Sequence, residues 1–361
     1  MDRRGFLACG VRGIGGLVAL GAIGCERRAD GPHGSRASAP ARPAPDAAAR
    51  IVALSPAVGV TLIDLGLERL VVGRHAWDVA LDPSLPACGD VTGMDAETLL
   101  SVRPTHLIME WGQRPLTEPV AGFARRGGWT VVDVSPLLTL AHVEGMTQTV
   151  ASVVATAIEE NDPAGGEALR DRARVMGESM RAAWGDASAR NDRLGRAGRV
   201  LLLGSTEPPG VLGPGSFHHQ LLVSMGGTPA LTEGKPWTEA DPEDVLALAP
   251  DAILILAPRG FDRAHPQAGS SPQPDWDTLR ATLGVLGRLR IPAIEHRRVA
   301  LLDHPLAHTP CARLVEIARE MRGAIGGWSG FASGVIGVPP GAPPDTQHPP
   351  ASRLGSLLDG E

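Results

Sequence analysis

The chain has 361 residues, 43% hydrophobic and 20% charged, with 34 basic against 40 acidic side chains and a net charge of −6. That balance is ordinary for a globular protein of one large or two medium domains, and it excludes collagen-like, coiled-coil and wholly disordered chains. Nucleic acid is not an expected partner, because the basic excess that phosphate binding needs is missing.

The first 24 residues read as an export signal. Arg3-Arg4-Gly5-Phe6-Leu7 precedes a Gly-rich, weakly apolar stretch from Ile14 to Gly24, the order of a twin-arginine leader. Ala22-Ile23-Gly24-Cys25 then places small residues before a cysteine, as a lipoprotein signal peptidase requires, so Cys25 is the expected lipidation site. Residues 25–49 are rich in Pro, Ala, Arg and Ser and read as a flexible tether. Residues 326–361, rich in Gly, Pro and Ser, read as a disordered tail.

Between these ends, apolar runs alternate with helical patterns. Strands are expected at Ile51–Leu54, Leu70–Gly73, His106–Met109 and Thr130–Val134, with helices around Val58–Leu67, Asp95–Arg103 and Thr117–Arg126. A strandless stretch from Thr139 to Ala187 is broken at Asn161-Asp162-Pro163, which starts a helix over Ala164–Trp184, about 30 Å long at ~1.5 Å per residue. Strands follow at Val200–Leu203, Ile253–Leu256 and Val299–Asp303, with helices around Phe217–Met225, Pro242–Ala249 and Cys311–Ile325.

An internal repeat divides this region in two. Asp95-Ala96-Glu97-Thr98-Leu99-Leu100-Ser101-Val102-Arg103-Pro104 and the apolar run after it align without gaps on Asp241-Pro242-Glu243-Asp244-Val245-Leu246-Ala247-Leu248-Ala249-Pro250 and its own run. In each copy an aspartate caps a short helix, a proline ends it, and the run without alternation suits a parallel strand covered on both faces. Leu99, Leu100 and Val102, like Val245, Leu246 and Leu248, are expected to bury one helix face. The fold class is therefore α/β: two Rossmann-like lobes with parallel sheets, residues 50–136 and 199–325, joined through connecting helices at 137–198 by one long helix.

Ligands of such sheets sit beyond the carboxyl ends of the strands. Those positions hold Ser55-Pro56-Ala57, His75-Ala76-Trp77-Asp78 and Glu110-Trp111-Gly112 in the first lobe, and Gly204-Ser205-Thr206, Pro258-Arg259, Asp303-His304 and the loop with Trp237 in the second. Three of seven tryptophans, Trp77, Trp111 and Trp237, fall there, giving a broad apolar surface on loops.

These features together resemble the substrate-binding proteins of iron-chelate and cobalamin ABC importers. Arg50 to Ala57 is similar to the family's opening strand and cleft loop, Gly93-Met94-Asp95-Ala96-Glu97 to the segment with its first docking glutamate, and Gly213 to Phe217 with Met225-Gly226-Gly227 to its entry into the second lobe. Within the family the likeness is to the cobalamin-binding branch, on Trp77, Trp111, Trp237 and Asp303; Val91 and Ala307 depart from that branch, which has a tryptophan and a basic residue there. The resemblance implies a monomeric periplasmic receptor, lipid-anchored to a membrane, that holds a cobalt corrinoid in a cleft lined by Ser55, Pro56, Ala57, Trp77, Trp111, Trp237 and Asp303. It also implies that Glu97 and Glu243 dock onto arginine pockets of an ABC permease dimer. A ferric siderophore or heme is the alternative ligand, although the absence of tyrosine closes one common mode of heme ligation.

No cofactor is expected. His75 and His304 are the candidate metal ligands, but Pro305 and Pro310 keep His304 and His308 from one regular helix face, so a metal-ion receptor ranks low, as does a ligand sensor without a transporter. His218 and His219 read as cap and surface of a helix start. Cys88 and Cys311 are expected to be two small buried thiols. With no Gly-x-Ser-x-Gly elbow, Walker loop or His-Glu-x-x-His, an exported enzyme is not expected.

Overall fold

The computed structural model describes residues 49–185, 194, 196–258 and 273–328. The expected export signal, Cys25 and nearly all of the tether lie outside the described residues, as do Arg259 and residues 329–361.

In the first lobe, β1 (Ile51–Leu54), β2 (Val71–Arg74), β3 (His106–Met109) and β4 (Thr130–Asp133) form a wholly parallel sheet in the order β2-β1-β3-β4. Helices α1 (Pro56–Asp64), α2 (Ala96–Val102) and α3 (Glu118–Gly127) make the crossovers. Side chains of one strand point alternately to the two faces. Ile51 and Ala53 accordingly enter one apolar cluster with α1 and the connecting helices, whereas Val52 and Leu54 enter another with Leu99, Val102 and Val120. Ala49, at the expected end of the tether, already packs into the first of these clusters.

The second lobe contains β5 (Arg199–Thr206), β6 (Pro209–Leu212), α6 (Phe217–Ser224), β7 (Thr228–Pro229), β8 (Trp237–Glu239), α7 (Pro242–Leu248), β9 (Ala252–Leu256), α8 (Trp276–Thr282), α9 (Pro292–Glu295), β10 (Val299–Leu302) and α10 (Leu314–Trp328). Its sheet runs β10-β9-β5-β6-β8. Strands β10, β9 and β5 are parallel, but β6 is antiparallel to both β5 and β8, so the expected parallel sheet is mixed. Helix α10 also runs through Gly326 and Gly327, where a tail was expected, because the indole of Trp328 is buried in the second lobe's core.

The repeat is structural as well as sequential. β1-β3-β4 and β5-β9-β10 have the same order and direction, and α2 and α7 each precede the strand that pairs beside the opening one. Asp95 accepts from the N–H groups of Glu97 and Thr98, and Asp241 from those of Glu243 and Asp244, all at 2.9 to 3.0 Å. Each helix then ends in a left-handed residue, Arg103 at φ 45° and Ala249 at φ 41°. One expectation fails in both copies: Leu100 and Leu246 are 49% and 47% exposed.

Between the lobes run α4 (Leu140–Glu159) and α5 (Pro163–Gly185), packed along each other. The long helix is α5, 23 residues, and it crosses from one core to the other: Leu169 and Ala173 pack in the first lobe, Met180 and Trp184 in the second. Helix α4 does the same in reverse, with Leu140 and Val143 in the second core and Val150 and Val154 in the first. The brace is thus two helices thick.

Candidate functional site

At the carboxyl edge of the first sheet, Ser55 occupies the N-cap of α1, and Pro56 stands where a missing N–H costs nothing. The Ser55 hydroxyl accepts from the Ala57 N–H at 3.2 Å and donates to Glu110 Oε2 at 3.1 Å. Ser55 and Ala57 are buried. This segment therefore shapes the edge rather than offering a free hydroxyl. On the next strand Asp133 accepts from the N–H groups of Trp111, Gln113 and Ser135 at 3.1, 2.8 and 2.9 Å. Burial raises its pKa, but hydrogen bonds from Ser135 and these amides outweigh that and hold it below the ordinary aspartate value.

The three indoles differ. Trp77 is 62% exposed on a loop stiffened from both sides: its backbone N–H donates to His75 Nδ1 at 3.2 Å, and Asp78 Oδ1 accepts from the backbone N–H groups of Ala80 and Leu81 at 2.9 and 2.8 Å. Gly59 on α1 makes room for the Asp78 carboxyl. Trp237 is 45% exposed and lies over Gly204 of β5 and Gly210 of β6, where a Cβ at either position would collide with the ring. Trp111, by contrast, is 6% exposed, a correction to its reading as an open ligand wall. Its ring packs in the first lobe's core and is covered by the Arg114 guanidinium at 4.1 Å, and its Nε1–H has no acceptor among the described residues.

The loop after β10 is held by histidines that composition and spacing could not place. His304 is buried; its Nδ1 accepts from the Leu306 N–H at 3.1 Å, so Nε2 carries the proton toward Glu316 Oε2 at 3.1 Å. With both nitrogens engaged it is poorly suited to ligate a metal, and His75 has Nδ1 engaged likewise. His218, expected on the surface, is buried and donates from Nε2 to the Ala307 carbonyl at 2.6 Å. Burial pushes its pKa down to about 3. The ring of His308 meets His218 edge-on at 5.6 Å and reaches back toward Gly204. Asp303, half-buried, opens this loop.

The same loop brings the lobes together. Leu306 and Cys311 pack against Val60 and Ala80 of the first lobe. Beside them Arg313 grips Asp64 at the end of α1, Nη2 to Oδ1 at 2.7 Å and Nε to Oδ1 at 3.0 Å. Burial pushes the Asp64 carboxyl up, opposed by the Arg313 hydrogen bonds. Since the 303–311 loop touches α1 on one side and the Gly204–Trp237 platform on the other, the carboxyl edges of both sheets flank it. A cavity of about 380 Å³ behind the ion pair, lined by Asp64, Met180, Arg313, Glu316 and Arg319, contains none of the indoles. Cys88 and Cys311 are free and buried, and burial pushes both thiols up to about 12.

Glu97 and Glu243 are exposed in the first turns of α2 and α7. Leu100 and Leu246 follow them by three positions, on the same helix face.

No protein-family model matches the chain, and no curated protein does. Solved structures match it over most of its length. A periplasmic heme-binding protein from Roseiflexus sp. RS-1 in apo form is 22% identical, covering 78% of this chain and 99% of its own at a TM-score of 0.56. The periplasmic vitamin B12 binding protein of Vibrio cholerae is 16% identical, covering 80% and 99% at 0.52. A possible iron-binding, periplasmic solute-binding protein from Staphylococcus epidermidis is 15% identical, covering 76% and 98% at 0.54. The chain has the fold of the two-lobed periplasmic binding proteins. At these identities the likeness is one of fold.

Proposed function

We propose that this protein is an extracytoplasmic receptor that captures cobalamin or a related corrinoid and hands it to the permease dimer of an ABC importer. The observation that carries this reading is the pair of exposed indoles in a binding-protein fold: Trp77 on the loop after β2 of the first lobe, and Trp237, first residue of β8, lying over Gly204 and Gly210 of the second. Large aromatic faces held in water on a stiffened backbone favour a broad, flat, partly apolar ligand. Asp303 adds a polar contact at the rim, and Pro56 and Ala57 shape the floor. Neighbours in fold that bind heme and vitamin B12 support the same ligand class. The binding role needs no catalytic group.

In this reading the leader exports the chain, Cys25 carries the lipid, and residues 26–48 let the lobes reach the permease as a monomer. Glu97 and Glu243 dock on its two-fold, each beside an exposed leucine. Heme is the second reading, favoured by heme-binding neighbours and disfavoured by the missing tyrosine and the engaged His304.

Calorimetry of the purified protein with cyanocobalamin, dicyanocobinamide, hemin and a ferric siderophore tests the assignment. Corrinoid binding is expected, weakened about tenfold or more by Trp237→Ala, since removing a central aromatic costs roughly 1 to 3 kcal/mol. Binding of hemin or the siderophore without either corrinoid would replace the ligand; no binding at all would remove the receptor reading.

A further inference from the structure

We infer that Asp64 and Arg313 are positioning residues for the ligand: their ion pair fixes the spacing between the Trp77 loop and the bed of Trp237, so that the two indoles form one preformed site. This rests on the receptor reading above and names what holds its two halves in place.

The indoles belong to different lobes, and among the described residues no strand pairs one sheet with the other. Side-chain contacts must therefore set their spacing. The Trp77 loop is seated on α1, where the Asp78 carboxyl and the Leu81 side chain both lie against Gly59, and Leu81 is buried with Ala57, Val58 and Leu62. Trp237 is tied in a similar way to the loop after β10. A Cβ at Gly204 would stand 2.5 Å from the Trp237 ring and 3.2 Å from the His308 ring, so the two rings share that glycine. The two loops then meet, Ala80 against Val60, Leu306 and Cys311.

That contact is small and apolar, and apolar contact has no direction. The ion pair beside it does. Arg313 directs Nη2 and Nε to Asp64 Oδ1 at 2.7 and 3.0 Å, and Nε also reaches Oδ2 at 3.3 Å. The two side chains are only 7% and 15% exposed. A guanidinium fork on a carboxylate fixes angle as well as distance. From the first turn of α10, Glu316 accepts from His304, the neighbour of Asp303, at 3.1 Å. Direct contacts thus run from the Trp77 loop through α1, the ion pair and α10 to the loop of Asp303. A buried ion pair often adds little stability beyond an apolar pair of equal size; its use here is to specify one arrangement. Without it the lobes sample several spacings, and only the competent fraction binds.

The experiment compares purified wild type with Asp64→Asn, Arg313→Gln and Arg313→Lys. By calorimetry with dicyanocobinamide, the first two variants should bind about tenfold more weakly. Arg313→Lys keeps the charge without the fork and should fall between them and wild type. In parallel, iodoacetamide labelling read by peptide mass spectrometry follows Cys311, at the lobe contact, and Cys88, in the first lobe's core. Both thiols are buried and held protonated, so each reacts only when exposed. In Asp64→Asn and Arg313→Gln, Cys311 should label several-fold faster while Cys88 stays slow, and saturating cobinamide should restore the wild-type rate at Cys311. A pair that serves stability alone would speed both thiols alike or leave the affinity unchanged, and either result overturns the inference. If the wild type does not bind cobinamide, the corrinoid reading falls, and selective or equal labelling of the two thiols still decides whether the pair sets the spacing.

Discussion

His218 is an imidazole buried without charge, and its position has a thermodynamic consequence. Its native pKa, about 3, lies below that of an exposed histidine, about 6.5, so the unfolded chain takes up the proton first. The stabilising contribution is complete above about pH 6.5 and is lost as pH falls toward 3, at about 1.4 kcal/mol per unit inside that window. His218→Gln retains a donor for the Ala307 carbonyl and removes the titration. Denaturant unfolding from pH 7 to pH 4 should then show a stability slope shallower by one proton; an unchanged slope would mean that His218 does not titrate. The same residue shows what sequence could not supply. Two adjacent histidines at a helix start give no sign of which one turns inward, and only the loop 89 residues later, ending its carbonyl at His218, decides it. Trp111 was misplaced for a related reason: its position after β3 is legible, but the arginine that covers it is a tertiary fact.

At the scale of elements, the strands buried on both faces were legible because their apolar runs have no polar phase. β6 and β8 were not. Pro209-Gly210 reads as a turn, and a three-residue strand beginning at Trp237 is too short to display a period. Yet this antiparallel addition is what presents the indole, since glycines in β5 and β6 leave the flat bed on which Trp237 lies. Gly210→Ala should push the ring off that bed, altering the near-ultraviolet circular dichroism and weakening cobinamide binding about as much as Trp237→Ala, while far-ultraviolet dichroism stays unchanged. Native near-ultraviolet dichroism with native affinity would show that the bed is not needed. The repeated helices hold a second lesson. Local chemistry placed Asp95, Asp241, both prolines and the two short helices correctly, but an amphipathic count could not see that Leu100 and Leu246 are left uncovered.

For the whole molecule, the shared order β1-β3-β4 and β5-β9-β10 puts Glu97 and Glu243 at equivalent places in two lobes. A carboxylate in a first helical turn is favoured by the helix dipole wherever it occurs. Equivalent placement on both lobes suits a partner that is itself a two-fold dimer. Glu97→Ala combined with Glu243→Ala should leave ligand affinity intact and abolish uptake in a reconstituted transporter, with each single change intermediate. Full transport by the double variant would reduce the two glutamates to helix-end charges.

The Asp64–Arg313 pair, the apolar contact beside it and the two-helix brace fasten the lobes at three places. A wide swing of the lobes would have to part the ion pair and expose the Leu306, Cys311, Val60 and Ala80 contact together, while the two packed helices of the brace resist it. In the proposed role, ligand exchange is timed by the Trp77 loop and by the side chain of Trp237, on the nanosecond-to-microsecond scale of loop and side-chain motion rather than that of hinged domains. In the proposed receptor, occupancy then leaves the silhouette almost unaltered. A transporter that distinguishes full from empty must feel the outward edge of the cargo itself.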